Sequence, residues 1–214
     1  MKSASPATPW QLAARLGALG LAAALLLALV HDLTKAPIAD AEARRALSQL
    51  LSVLPGERFD NDLVHDWIDR ELPELGTRAR IHRARLAGEP SALIIHTSTP
   101  HGYSGSIELW IGLEPDGTVI RVEAGAHRET PGLGDRIERR KSRWIDQFTG
   151  RRYDTQSEAS WAVDRRGGDF DSLSNATITA QAVVEAVGLS SRLTQAPDAE
   201  LWQLAPHSEM TQGE

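Results

Sequence analysis

The sequence predicts an α+β domain with a mainly antiparallel sheet and flanking helices, preceded by a single N-terminal transmembrane helix. Three observations carry this. Apolar residues run unbroken from Leu16 to Val30, short segments between Ala79 and Ala124 alternate in polarity or are rich in β-branched residues, and a helical pattern from Thr179 to Leu193 follows them. Strands gathered into one stretch with helices outside it point to α+β rather than to alternating βαβ units.

With 214 residues, 41% of them hydrophobic and 24% charged, the chain suits one well-buried domain of about 150 to 180 residues and not two. A formal charge of -6 argues against a phosphate-backbone binder, which needs clustered Lys and Arg, so nucleic acid is not an expected partner. Cysteine is absent, which removes disulfides, thiolate nucleophiles, iron-sulfur clusters and zinc-thiolate sites together. Any redox role must therefore use a bound organic cofactor. The 7 histidines have no i,i+3 or i,i+4 partners and no HExxH motif occurs, so no metal site is expected.

Element by element, Trp10 to Leu33 reaches about 35 Å as a helix, enough for a hydrocarbon core of about 30 Å. Trp10 is an interfacial anchor type, and Arg15 is close enough to the boundary to snorkel. Lys2 and Arg15 precede the apolar run while Asp32 follows it, which predicts a cytoplasmic N-terminus and a periplasmic C-terminal domain at a bacterial inner membrane. A cleavable signal peptide is the competing reading. The nearest small-residue site, Ala39-Asp40-Ala41, lies well past the run and inside a helix start, so a retained anchor is expected.

Asp40 to Leu54 reads as an amphipathic helix, with Ala43, Leu47, Leu50, Leu51 and Leu54 at helical spacing before Pro55-Gly56. Asp60 to Leu75 is irregular and acidic, with room for a short helix around Trp67. Ala79 to Leu86, Ala92 to Ser98 and Ile107 to Leu113 are strand candidates, and Glu114-Pro115-Asp116-Gly117 turns the chain into a partner strand, Val119 to Ala124. Asp135 to Phe148 is expected to be helical, Trp161 to Arg165 a short strand, and the tail after Gln195 frayed. These elements divide the chain into a cytoplasmic start (1–9), an anchor (10–33), a helical linker segment (34–77), a periplasmic domain (78–195) and a flexible tail (196–214).

The segment Asp171-Ser172-Leu173-Ser174-Asn175-Ala176-Thr177-Ile178-Thr179 concentrates hydroxyl side chains in a short loop that feeds into a helix. A helix N-terminus offers unpaired N–H groups and a partial positive charge, so Ser174, Thr177, Thr179 and the first helical amides could hold a phosphate. An ordinary N-cap, one hydroxyl satisfying one N–H, is the other reading of the same residues.

Asp171-x-x-Ser174-Asn175-Ala176-Thr177 resembles the D-x-x-[ST]-G-A-T flavinylation motif of the FMN-binding domain family. That family includes the G subunit of the Rnf (Rsx) electron-transport complex and the C subunit of the sodium-pumping NADH:quinone reductase. The resemblance implies FMN bound covalently through a phosphoester to Thr177, installed by a separate flavin transferase that uses FAD. Asn175 stands where the family usually has Gly, and Asn is the residue that next best tolerates positive φ.

Gly102-Tyr103-Ser104-Gly105-Ser106-Ile107, the Asp116-Gly117 hairpin and His127-x-Glu129-Thr130-Pro131-Gly132-Leu133-Gly134 are similar in order and spacing to the Rnf G subunits. So are Trp161 and the Gly168-x-Phe170-Asp171 lead into the flavin motif, and the likeness runs to about Leu193. It implies Ser174, Asn175, Ala176 and Thr179 around the attachment point, and Tyr103, His127, Glu129, Thr130 and Leu133 lining the flavin. Glu129 to Gly134 is also a turn whose backbone can approach a flat ligand, because Gly132 and Gly134 have no side chains to exclude it, or simply a connector. A Rossmann fingerprint is excluded, since Ile137 stands where the third glycine belongs, and a P-loop is absent.

The resemblance further implies a non-autonomous electron-carrier subunit of a membrane complex that couples ferredoxin and NAD(H) redox chemistry to ion translocation. Its partners would be the other subunits, the transferase and the lipid bilayer. The anchor carries no buried ionisable pathway, so ion movement falls to other subunits. A sensory module holding FMN loosely and a flavin-free envelope scaffold share the same bare layout.

Overall fold

The computed structural model describes residues 9–194, 199–207 and 209–210. The chain divides into two units, Met1–Arg45 and Ala46–Glu214. Helix α1 (Pro9–Val53) supplies the described part of the first. It is the one helix among the described residues that is long and apolar enough to cross a membrane. Leu16, Leu19, Leu25, Leu26, Leu29 and Leu33 are all exposed, as suits a helix whose solvent is hydrocarbon. It passes the expected end of the span at Leu33 and continues through Pro37.

The second unit is built on a six-stranded sheet of order β5-β4-β3-β2-β1-β6. Strands β1 (Trp67–Leu72), β2 (Thr77–Leu86), β3 (Glu89–Gly102), β4 (Gly105–Leu113) and β5 (Val119–Ala124) form an antiparallel meander. The two-residue β6 (Glu209–Met210) adds in parallel to β1. Because side chains alternate with period two, register places Ile68, Ile81, Ile95, Ile111 and Val122 in one row across five strands, all fully buried. Helix α2 (Thr177–Leu193) covers this face with Ala180, Val183, Val184 and Val187.

On the opposite face, Ala84, Ala92 and Ile94 meet Leu50, Val53, Leu54 and Leu63 in a second, smaller core. The last turn of α1 packs here, with Leu50 and Leu54 buried as the helical spacing predicts, although Ala43 and Leu51 stay exposed. Gly112 makes the approach possible, since a Cβ there would collide with the Val53 carbonyl. The rest of that face is polar. Arg80 pairs with Asp69 (2.9 Å) while lying over the Trp67 ring, and His96 stacks on Trp110.

Four expectations are corrected. Asp60 to Leu75 holds no α-helix around Trp67 but strand β1, within the stretch read as a helical linker. Its charges hid the alternation: Ile68 and Leu72 point inward, while Asp69 and Glu71 pair across to Arg80 and Arg78. Asp135 to Phe148 is not one helix but two 3-10 turns, Gly134–Ile137 and Trp144–Phe148. Between them Glu138 is bound by Arg140 and Lys141, which holds a bend against helix propagation.

Trp161 to Arg165 forms only an isolated parallel bridge, Val163 to Phe170, followed by a 3-10 turn, Asp164–Arg166. The Gly167-Gly168 step closes that turn, and a Cβ at Gly168 would strike the Ala162 backbone. Finally, the stretch after Gln195 is not simply frayed: it contains α3 (Ala199–Gln203) and β6. The buried Arg83 guanidinium donates to the carbonyls of Leu201 (2.9 Å) and Leu204 (2.8 Å) and pairs with Asp66, so the tail is held by a residue on β2.

Candidate functional site

The loop from Asp171 to Ala176 enters α2 through a tight turn. Leu173 and Ala176 are buried, and the Ala176 N–H donates to the Leu173 carbonyl (3.0 Å). Asn175, exposed at the corner, has φ 62°, the left-handed region where Gly is usual and Asn is tolerated. The chain below is pinned from two sides. Trp144 Nε1 donates to the Asp171 carbonyl (2.6 Å) and Gln147 Oε1 accepts the Asp171 N–H (2.7 Å). Asp164 accepts the Ser172 N–H (3.1 Å) and hydroxyl.

Thr177 is the first residue of α2 and is half-buried, while Ser174 is exposed. Ala176 is the N-cap, and no side chain caps the helix. The N-cap reading of the loop is therefore not realised: none of its hydroxyls satisfies the first turn's N–H groups, and those N–H groups and the partial positive charge of a 17-residue helix lie beside Ser174 and Thr177.

Thr179 is fully buried, and its hydroxyl is turned away from the loop to donate to Glu129 Oε2. Glu129, only 4% exposed, accepts the Ser104 N–H at its other oxygen (2.9 Å). The β3–β4 hairpin, the turn after β5 and the start of α2 are thus tied at one carboxylate. Tyr103 at the hairpin tip, Leu133 on the turn and Ile178 on the helix are 68%, 37% and 50% exposed, the large apolar groups that these three segments leave open.

His127 does not join them. Its Nδ1 accepts the Glu129 N–H (3.2 Å), which puts the ring proton on Nε2, facing Glu138 (3.3 Å). Hydrogen bonds from Arg140 and then Lys141 hold the Glu138 carboxyl down at about 2. Lys141 also bonds Asp135, whose other oxygen accepts the Gly132 N–H (2.8 Å); the Lys141 hydrogen bond first, then that N–H, lowers the Asp135 carboxyl.

The turn itself closes on Thr130, whose carbonyl accepts the N–H groups of Leu133 (3.1 Å) and Gly134 (3.0 Å). Its two glycines have different reasons. Gly132 takes φ 79°, whereas Gly134 is buried with its missing Cβ position 2.9 Å from Glu129 Oε2. The expected approach of a flat ligand to Gly134 is corrected by this contact. Sequence reasoning also missed Asp135, Glu138, Trp144 and Gln147. Asp135 follows the Gly-Leu-Gly run directly and was findable as its cap, but Trp144 carries no local signal.

Residues 102–189 match the FMN-binding domain, a span from the hairpin glycine of β3 into α2. The chain is similar to the G subunit of the ion-translocating oxidoreductase complex of Escherichia coli K12, 39% identical over 189 residues, 88% of this chain and 89% of that one. The G subunit of Pseudomonas aeruginosa UCBPP-PA14 is 42% identical over 80% of this chain and 82% of its own, and that of Vibrio atlanticus is 40% identical over 76% and 78%. Fold, site and match define a flavoprotein class: an FMN-binding α+β domain behind one N-terminal helix fit to span a membrane. Within it, the chain belongs to the family of ion-translocating oxidoreductase complex G subunits.

Proposed function

We propose that this chain is the membrane-anchored electron-transfer subunit of an ion-translocating oxidoreductase complex, carrying FMN as a phosphoester on Thr177. The observation that carries the reading is the uncapped start of α2, with the Thr177 hydroxyl at its first position, two residues after the positive-φ corner at Asn175. Backbone N–H groups of the first turn and the Ser174 hydroxyl would hold phosphate oxygens, stabilised by the helix dipole. Thr179, with its hydroxyl engaged by Glu129, would contribute its N–H rather than its side chain. Exposed Tyr103, Leu133 and Ile178 suit the apolar faces of the ring, with Thr130 at the edge of the same turn.

Attachment requires Thr177 Oγ1 to displace AMP from FAD: the Oγ1–P bond forms, the P–O–P bond breaks and the hydroxyl proton leaves. A flavin transferase is the expected catalyst. Bound FMN supplies reversible uptake and release of electrons, and the protein supplies attachment, orientation and local electrostatics. The anchor has no ionisable pathway, so ion movement, coupled to ferredoxin and NAD(H) chemistry, belongs to partner subunits. Lys2 and Arg15 orient the N-terminus to the cytoplasm and residues 78–195 to the periplasm.

The test is co-expression of the full chain with a flavin transferase, followed by intact mass and peptide mapping. The expected result is a gain of one FMN less water on the Thr177 peptide and a fluorescent band on a denaturing gel. Fluorescence that survives Thr177→Ala would overturn the assignment, and flavin lost on denaturation would favour a loosely binding sensory module.

A further inference from the structure

We propose that Glu129 is the positioning residue of the flavin site: a buried carboxylate that registers the β3–β4 hairpin and the first turn of α2 against the turn between Glu129 and Gly134. The inference rests on the reading of Thr177 as the attachment point. A carboxylate this deeply buried is costly unless hydrogen-bonded, and both oxygens are. Oε1 accepts the Ser104 N–H (2.9 Å) and Oε2 accepts the Thr179 hydroxyl.

The neighbouring glycines fit the same carboxylate. A Cβ at Gly134 would lie 2.9 Å from Oε2, and one at Gly102 would strike the Gly105 carbonyl and lie 2.8 Å from Oε1. Gly134 is therefore required by the Glu129 side chain, and Gly102, required first by the hairpin's own Gly105 carbonyl, leaves the other carboxylate oxygen its room. With both oxygens turned into the protein, Glu129 acts through its partners and not by contact with the ring.

Thr179 lies two residues beyond Thr177, so on a helix of about 3.6 residues per turn the two side chains point roughly 200° apart. Fixing Thr179 inward on Glu129 fixes the direction in which Thr177 presents its hydroxyl. The exposed Tyr103 and Leu133 are carried by the other two tied segments, so their placement relative to Thr177 depends on the same bonds.

Gln at this position separates geometry from charge. Its Oε1 can accept the Ser104 N–H while its Nε2 donates to Thr179 Oγ1, so both ties survive without the negative charge. The experiment co-expresses the full chain with a flavin transferase, purifies it in detergent, and reads flavinylated fraction by intact mass and flavin environment by visible-region circular dichroism.

Glu129→Ala is expected to lower the flavinylation rate about tenfold, the factor one buried hydrogen bond is worth, and to flatten the flavin dichroism. Glu129→Gln is expected to restore both. Wild-type loading and dichroism in Glu129→Ala would overturn the proposal, and so would a Gln variant as defective as Ala, which would assign the effect to charge. Should Glu129→Ala fail to fold, Thr179→Val removes one tie at nearly constant volume, and unchanged flavin dichroism there overturns the role. A wild-type chain that takes up no flavin overturns the attachment reading and this one together, whereas a loaded wild type beside an equally loaded Glu129→Ala overturns only the role of Glu129.

Discussion

Trp144 holds Asp171 by a single 2.6 Å hydrogen bond from its indole Nε1 to the Asp171 carbonyl. The bond joins the second 3-10 turn to the first residue of the flavin motif, and the indole packs edge-on against Phe148 (5.6 Å), itself stacked on Phe170 (5.0 Å). The indole bond thus ties the loop to an aromatic floor, beside the Gln147 and Asp164 bonds that hold Asp171 and Ser172. Trp144→Phe keeps the ring and removes the donor, so it is expected to cost about 1 kcal/mol of stability. Its larger effect is on presentation of Thr177: flavinylation slows severalfold, as a time course of in-gel fluorescence would measure, while the melting temperature falls by only about 2 to 4 °C. A flavinylation rate equal to wild type would mean the indole bond is incidental.

Asn175 sits at φ 62°, where an L-residue pays a steric cost that Gly does not. Asn175→Gly is expected to be neutral or stabilising by up to about 1 kcal/mol and to flavinylate at least as fast as wild type. A β-branched residue cannot adopt this corner without strain, so Asn175→Val should cost about 1 to 2 kcal/mol and cut flavinylation sharply. Urea unfolding of the detergent-solubilised chain and quantified flavin fluorescence check both. Equal behaviour of the Gly and Val variants would show that the corner's backbone geometry is unimportant.

How far such detail could be read from sequence depended on the range of the interaction. Val119 to Ala124 was legible to the residue, because a turn signal and a period of two are local properties. The positive φ at the Asn175 corner was legible through the resemblance, in which Gly usually stands at that position. Strand β1 was not, since its outward charges Asp69 and Glu71 pair with Arg80 and Arg78 on the next strand. The orientation of Glu129 was not legible either: the hydroxyl it engages lies 50 residues away. Gly134, read as room for a ligand, is room for that carboxylate.

Arg83 is 1% exposed and is bound to Asp66 and to two carbonyls of the tail. Removing it leaves Asp66 without its closest cation and takes the Arg83 donor from the buried Leu201 carbonyl and the part-buried Leu204 carbonyl. Arg83→Ala is expected to destabilise by about 3 to 5 kcal/mol, the range for breaking a buried pair from one side. Because the donors to Leu201 and Leu204 disappear with it, residues after 194 should become the first site of limited proteolysis. Unaltered cleavage kinetics in the variant would contradict the anchoring of the tail.

His82 supplies the pH dependence. Its ring is buried, and Nδ1 carries a proton that it donates to the Leu63 carbonyl (2.9 Å). Burial, ahead of any other influence, lowers its pKa from 6.5 to about 4. Between those values the unfolded chain binds a proton that the folded chain refuses, so stability rises with pH across this window and is fully present above 6.5. On acidification the loss begins as pH falls through the unfolded value and is complete below about 4, reaching about 2 kcal/mol near pH 5. His82→Gln retains a donor for Leu63 and does not titrate. Its melting temperature should therefore fall less than that of the wild type between about pH 7 and pH 5, and parallel curves for the two proteins would assign the acid sensitivity to other groups.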